Sequence, residues 1–220
     1  MAGERLGEAE VDWQGLEGDR QFAFFGRGDN TRFPWLTGRE LPDLVLHSAR
    51  FRQPASPKSG GVEVTTPQGV VFDLHDPALL EHLGSAAGFE LGLMQSGRGI
   101  YDAMPLSITT SAALAVLDAT HGQPLDARRF RSNIVVESDA EPHEWLGRTL
   151  AFGDGADRVE LFITNEIPRC AMITISPDDA QRDPAIMRTV ATSFGNLFGV
   201  YATPAKPGHF RVHDPVFVLG

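Results

Sequence analysis

Residues 133–176 read NIVVESDAEPHEWLGRTLAFGDGADRVELFITNEIPRCAMITIS, and this stretch decides the fold. It holds short runs rich in β-branched and aromatic residues: NIVVES, RTLAFG, VELFIT and AMITIS. Gly, Pro and Asp clusters separate them. Near the end of the chain, FRVHDPVFVL at 210–219 adds another run of the same kind. Short β-rich segments at this close spacing predict a barrel or a strongly curved sheet.

Upstream, QFAFFG (21–26) reads as a strand and GVEVTTPQGVVFDL (61–74) as a hairpin whose turn carries Pro67 and Gly69. Helices interrupt the strands. One is predicted from Asp76 as N-cap, with Pro77 at the first helical position, to about Gly88. A second runs from about Thr110 to His121 and is closed by Gly122. A third follows Asp183 and Pro184 and reaches Phe194, closed by Gly195. The fold class is therefore α+β and mainly β. Residues 50–61, RFRQPASPKSGG, read as an exposed loop.

Composition excludes several classes of function. No apolar run reaches the roughly 18 residues of a membrane helix, and the polar start MAGERLGEAEVDWQ lacks a signal-peptide layout. Both point to a cytoplasmic protein with no membrane partner. A formal net charge of −10 opposes general nucleic-acid binding. A single cysteine, Cys170, excludes an internal disulfide, a Cys-ligated iron–sulfur cluster and a multi-cysteine zinc site. Of the 19 basic residues only Lys58 and Lys206 are lysines; both are expected in loops, and they give no support to a pyridoxal-phosphate Schiff base.

Four clusters could carry chemistry, and each has a plainer reading. In DARRFRSNIVV (126–136), Arg129, Arg131 and Asn133 share one face if the chain is extended, where forks and an amide could grip a phosphate. The same arginines could equally form a solvated rim paired with Asp126. In PLSITTSAAL (105–114), Thr109, Thr110 and Ser111 stand at a helix start, able to offer hydroxyls and free N–H groups to an anion or simply to cap the helix. In GDR (18–20), Arg20 could enter a pocket or close a turn. Cys170 is either a small buried hydrophobe or a thiolate favoured by Arg169 and suited to a soft metal.

Taken in this order, the segments GLEGDRQFAFF, WLTGRELPDLVL, DAMPLSITTSAAL, RRFRSNIVVES, PRCAMITISPD and LFGVYATPAKPGHFRVHDPVFVLG resemble the molybdenum cofactor sulfurase C-terminal (MOSC) family, and in particular its amidoxime-reducing type. The resemblance implies a β-barrel-centred fold with a few flanking helices. It also implies a β-rich N-terminal region over residues 1–90 and a MOSC domain over 91–220. It implies a molybdenum–molybdopterin cofactor. Cys170 would be the metal ligand and catalytic residue; Arg131 and Asn133 would hold the cofactor phosphate. Thr110 and Ser111 match the hydroxyl cluster, Arg20 matches a pterin-contacting arginine, and Arg169 joins them as a cofactor-binding residue. The implied function is an oxidoreductase for small N-hydroxylated or N-oxide substrates, with electrons from a separate protein. The alternatives are a carrier of cofactor or sulfur that uses Cys170, or a degenerate member that binds neither. Monomer and dimer are both compatible with the sequence.

The chain departs from the family pattern in three places. Family members begin with a strand ending in a Pro-x-Lys-Ser-type motif; here Met1 falls just after its place, so the first strand and its lysine and serine contacts are expected to be missing. Ser132 stands where a proline is frequent. His213 stands where a glycine commonly precedes Asp214, a place where a positive φ is expected.

Overall fold

The computed structural model describes all residues except 30, 32 and 54–59. Three α-helices stand where their caps put them: α1 (Pro77–Ala87), α2 (Ser111–His121) and α3 (Pro184–Ser193). The side chains of Asp76, Thr110 and Asp183 accept from the N–H groups of Ala78, Ala113 and Ala185 at 2.9, 3.1 and 2.9 Å. Pro77 and Pro184 occupy first-turn positions, where no N–H is needed. Gly88 and Gly122 close α1 and α2 in the left-handed conformation at φ 83° and 87°. Each helix buries residues four apart: Leu79 and Leu83, Ala113 and Leu117, Ile186 and Val190.

In chain order the strands are β1 (Glu8–Asp12), β2 (Gly15–Leu16), β3 (Phe22–Gly26), β4 (Ser48–Phe51), β5 (Val62–Thr65), β6 (Val71–Asp73), β7 (Leu91–Gln95), β8 (Leu106–Thr110), β9 (Ile134–Val136), β10 (Thr149–Phe152), β11 (Val159–Pro168), β12 (Leu197–Lys206), β13 (Gly208–Arg211) and β14 (Val216–Leu219). The protein is mainly β, and its elements fall into two compact units.

One unit comprises residues 1–4, 20–100 and 175–181. It holds the antiparallel pair β3–β7 and the sheet β4–β5–β6. The hairpin expected at 61–74 is β5–β6, with Val64 opposite Phe72. Val64, Leu79 and Leu83 form the centre of its core.

The other unit comprises residues 5–19, 101–174 and 182–220. Its centre is a curled, half-barrel sheet of six strands in the order β14-β10-β11-β12-β8-β9. All its ladders are antiparallel except β8–β9, which is parallel and pairs Ile108 with Ile134. Leu106, Ile108, Leu150, Leu161, Ile163 and Val200 are fully buried in one core. A second core joins α2 and α3 to Phe130, Ile173 and Phe198. Strand β1 pairs with β13 and β2 beside these.

Several expectations need correction. AMITIS is not a strand: Ala171–Thr174 is a 3-10 turn. Its β propensity yields to packing, because Ile173 is needed in the core with Phe130 and Ile186. Residues 197–206, interrupted by Gly199 and Pro204, do not read as a strand yet form the long β12. LSITT was not read as a strand, yet it forms β8 up to the Thr110 cap of α2; all five of its residues are buried, so the alternation that marks a strand is absent. The loop expected over 50–61 begins only after β4, and Arg52 N–H donates to the Gly61 carbonyl at 2.8 Å; residues 54–59, with Lys58, lie outside the described part. Lys206 ends β12 instead of sitting in a loop, and its Nζ donates to the Ala156 carbonyl. Among the described residues no helix is long and apolar enough to cross a membrane.

Candidate functional site

Strand β11 ends at Pro168, which pairs with Leu197. Two residues later Cys170 stands exposed in the link to the 3-10 turn, so it is not the buried filler that base rates favour. Its neighbour Arg169 turns its side chain into the protein. Arg169 Nη1 donates to the Phe130 carbonyl at 2.7 Å and Nε to the Phe198 carbonyl at 2.8 Å. The guanidinium carbon stands 5.6 and 5.8 Å from the Phe130 and Phe198 ring centroids. Nη2 is buried without a hydrogen-bond partner. Burial pushes Arg169 down to about 10, against the opposing pull of Tyr201 and Cys170, and it keeps its charge at neutral pH. Gly199, at φ 77°, makes room here: a Cβ on it would lie 2.9 Å from the Ile108 carbonyl and 3.2 Å from Arg169 Nη2.

The segment 126–133 is not extended. Ala127–Phe130 is a 3-10 turn with Asp126 as its cap, and Arg131 follows at φ 53°. The shared face of Arg129, Arg131 and Asn133 is thereby broken. Arg128 pairs with Asp126, whose carboxyl it holds below the usual range, as the rim reading expected. Arg129 donates to the Thr174 carbonyl at 2.9 Å. Arg131 is exposed. Asn133 is engaged on both sides of its amide. Its Oδ1 accepts from the Ser107 N–H at 3.0 Å and the Ser107 hydroxyl at 2.8 Å, and its Nδ2 donates to Asp19 at 3.0 Å.

Two hydroxyls of the cluster are occupied internally, while that of Thr109 is buried without a hydrogen-bond partner. Thr110 is fully buried and spends its hydroxyl on capping α2. Ser111 Oγ donates to the Ser138 carbonyl at 3.1 Å and accepts from the Ser138 N–H at 3.0 Å. The Ala112 N–H donates to the same carbonyl. The Ala112 and Ala113 N–H groups are thus engaged within their own unit, as in the capping alternative. Arg20 belongs to the other unit; it sits at φ 51°, and its carbonyl accepts from the Ile100 N–H at 2.8 Å.

The structure thus brings Cys170, Arg169 and the turn leading to Arg131 together. A groove of about 290 Å³ is lined by Val116, His143, Glu166, Phe194, Phe198 and Gly199 among others, of which Phe198 and Gly199 lie next to the Arg169 guanidinium. None of the sequence-derived candidates lines it, and no motif in the sequence marks it. Among the described residues no group of three or more His, Cys, Asp or Glu gathers to hold a metal ion.

Residues 95–217, more than half of the chain, match the MOSC domain. The chain belongs to the MOSC family. Mitochondrial amidoxime-reducing component 1 from Homo sapiens is 31% identical over 134 residues, which cover 54% of this MOSC chain and 38% of that protein. Mitochondrial amidoxime reducing component 2 from Bos taurus is 29% identical over 131 residues, 54% of this chain and 38% of its own. The chain thus spans well under half the length of these curated relatives. The crystal structure of the YUAD protein from Bacillus subtilis matches 98% of this chain and 86% of its own with a TM-score of 0.50 and 13% identity, a likeness of fold. Membership associates this MOSC chain with molybdenum-cofactor chemistry.

The donor set fits such a group in part. A lone exposed thiol is a soft ligand that cannot hold a metal unaided, so it suits a metal that arrives already chelated. Arg131 is an exposed fork able to meet a phosphate. Thr110, Ser111, Asn133 and two of the three guanidinium nitrogens of Arg169 also hydrogen-bond within the protein.

Proposed function

We propose that this chain binds a molybdenum–molybdopterin cofactor and acts as an oxidoreductase on small N-hydroxylated or N-oxide substrates. The observation that carries this reading is the exposed Cys170, set at the end of β11 by an arginine whose other bonds reach the turn before Arg131. Cys170 would supply a thiolate to the metal, and Arg131 would anchor the cofactor phosphate. When bound, the cofactor supplies the redox chemistry by which the substrate N–O bond breaks, two electrons and two protons enter and water leaves. The chain's own residues hold and orient; the electrons come from a separate electron-donor protein. The amidoxime-reducing names of the curated relatives support this choice of substrate class.

The test is metal analysis of protein made in a host that synthesises the cofactor. About one molybdenum per chain, lost in Cys170→Ser, is expected, together with reduction of benzamidoxime by an artificial electron donor. Loaded protein that reduces no N-hydroxylated compound would instead be a carrier. Protein that stays free of molybdenum would overturn the reading altogether.

A further inference from the structure

We infer that Arg169 is a positioning residue: it fixes Cys170 against the turn that presents Arg131, and it does not meet the ligand itself. The inference rests on the function proposed above, and it deepens it by giving the two ends of that site a common mount.

Arg169 is tied down in three directions. Its N–H donates to the Asn196 carbonyl at 2.9 Å, its Nε to the Phe198 carbonyl at 2.8 Å and its Nη1 to the Phe130 carbonyl at 2.7 Å. The first two bonds fasten it to the start of β12. The third reaches the peptide group that joins Phe130 to Arg131. Arg131 stands at φ 53°, a conformation that costs a non-glycine residue energy and persists only where neighbours hold it. The Arg131 N–H, on that same peptide, donates to the Arg128 carbonyl at 3.1 Å. Both polar atoms of that peptide are thus held. On the other side, Cys170 follows Arg169 directly, and its own carbonyl accepts from the Ile173 N–H at 3.3 Å, starting the 3-10 turn.

The chemistry of the fork explains why an arginine is used. A planar guanidinium donates along fixed directions from Nε and Nη, so two carbonyls held by it keep a set separation. An ammonium on a flexible stem would reach one of them. The Phe130 and Phe198 rings, whose centroids lie 4.6 Å apart, wall the guanidinium in. Gly199 leaves the space for it, since a Cβ there would come within 3.2 Å of Nη2. The hydrogen bonds of Nε and Nη1 point into the protein, so the side chain sets geometry and leaves Cys170 exposed beside it.

Cys170 is the only cysteine in the chain, so one nitroxide label on cofactor-free protein reports on its turn alone. Arg169→Gln and Arg169→Lys are compared with wild type. The expected result is a faster, narrower label spectrum in both variants. Amide exchange at Arg131 and Ile173 is expected to rise together by tenfold or more, with that of Leu150 in β10 unchanged. A residue that only filled space would be rescued by lysine; here lysine is expected not to restore either readout. An unchanged label spectrum with unchanged exchange at Arg131 overturns the inference, as does full rescue by lysine. If neither variant folds, native-state exchange of the wild type decides. Arg131 and Ile173 opening in one step across a denaturant series supports the common mount; their opening independently overturns it. These arms use no cofactor, so they stand even if the wild type takes up no molybdenum. Where it does, Arg169→Gln is expected to hold at least threefold less metal per chain.

Discussion

Asn133 Nδ2 donates to Asp19 at 3.0 Å, joining residues 114 positions apart, while its Oδ1 takes both donors of Ser107. The amide is a clasp between β8, the turn before β9 and the segment preceding Arg20. Removing it leaves Ser107 and Asp19 without their shared partner in a half-buried place, at a cost of about 1–3 kcal/mol. Asn133→Ala is therefore expected to lower the denaturation midpoint of cofactor-free protein by that amount. A cofactor-free midpoint equal to wild type would return Asn133 to the role of a ligand contact.

Arg131, two residues away, is expected to behave in the opposite way. Its side chain is exposed and its left-handed backbone is equally awkward for alanine. Surface interactions of an exposed arginine are worth little, so Arg131→Ala should cost the cofactor-free protein no more than about 1 kcal/mol. Its molybdenum content after purification should fall severalfold. Metal content and urea denaturation, measured on the same preparations, separate the two residues of one motif. A loss of stability without a loss of metal would contradict the assignment.

His47 makes the stability of its unit depend on pH. It is 4% exposed; its Nδ1 lies 3.0 Å from the Asp43 carbonyl, so the neutral ring carries its proton there, and Nε2 is buried without a partner. Burial holds its pKa below the ordinary 6.5 against the hydrogen bond to the Asp43 carbonyl, and the neighbouring His82 acts in the same direction as burial. The unfolded chain thus takes up the proton first as pH falls. Stability is present above about pH 6.5 and is lost on acidification toward the lower folded value, by at most about 1.4 kcal/mol per pH unit. His47→Gln, which cannot titrate, should show a shallower decline between pH 7.5 and 5.5 than wild type. Parallel curves would remove His47 as the cause.

What was legible in the sequence was local. Asp76, Thr110 and Asp183 announce their helices because a cap and its N–H partner lie within three residues. What was not legible depends on distant partners. Arg169 reads as a cation beside a cysteine, yet its hydrogen-bond acceptors are carbonyls 39 and 29 residues away. AMITIS has strand propensity, but Ile173 is claimed by a core built from α2, α3 and Phe130. Cys170 and Arg131, named from the family order of the motifs, fall in one unit; that order carries no sign that the Ser111 hydroxyl bonds to Ser138.

His213 tests the local kind of reading. A glycine is usual at this place, which implied a positive φ, and His213 sits at φ 74°. The turn is fixed by the Arg211 N–H on Asp214 Oδ2 at 2.7 Å and the Asp214 N–H on the Arg211 carbonyl at 3.1 Å. The conformation costs an L-residue about 1–2 kcal/mol, and glycine's greater freedom in the unfolded chain returns roughly 0.5–1 kcal/mol of that. His213→Gly should thus stabilise the unit by about 0.5–1 kcal/mol and raise its Tm by about 2 °C. The exposed imidazole is not needed for the turn, so cofactor content should not change. A lower Tm in His213→Gly would mean that the histidine side chain contributes more than its backbone costs.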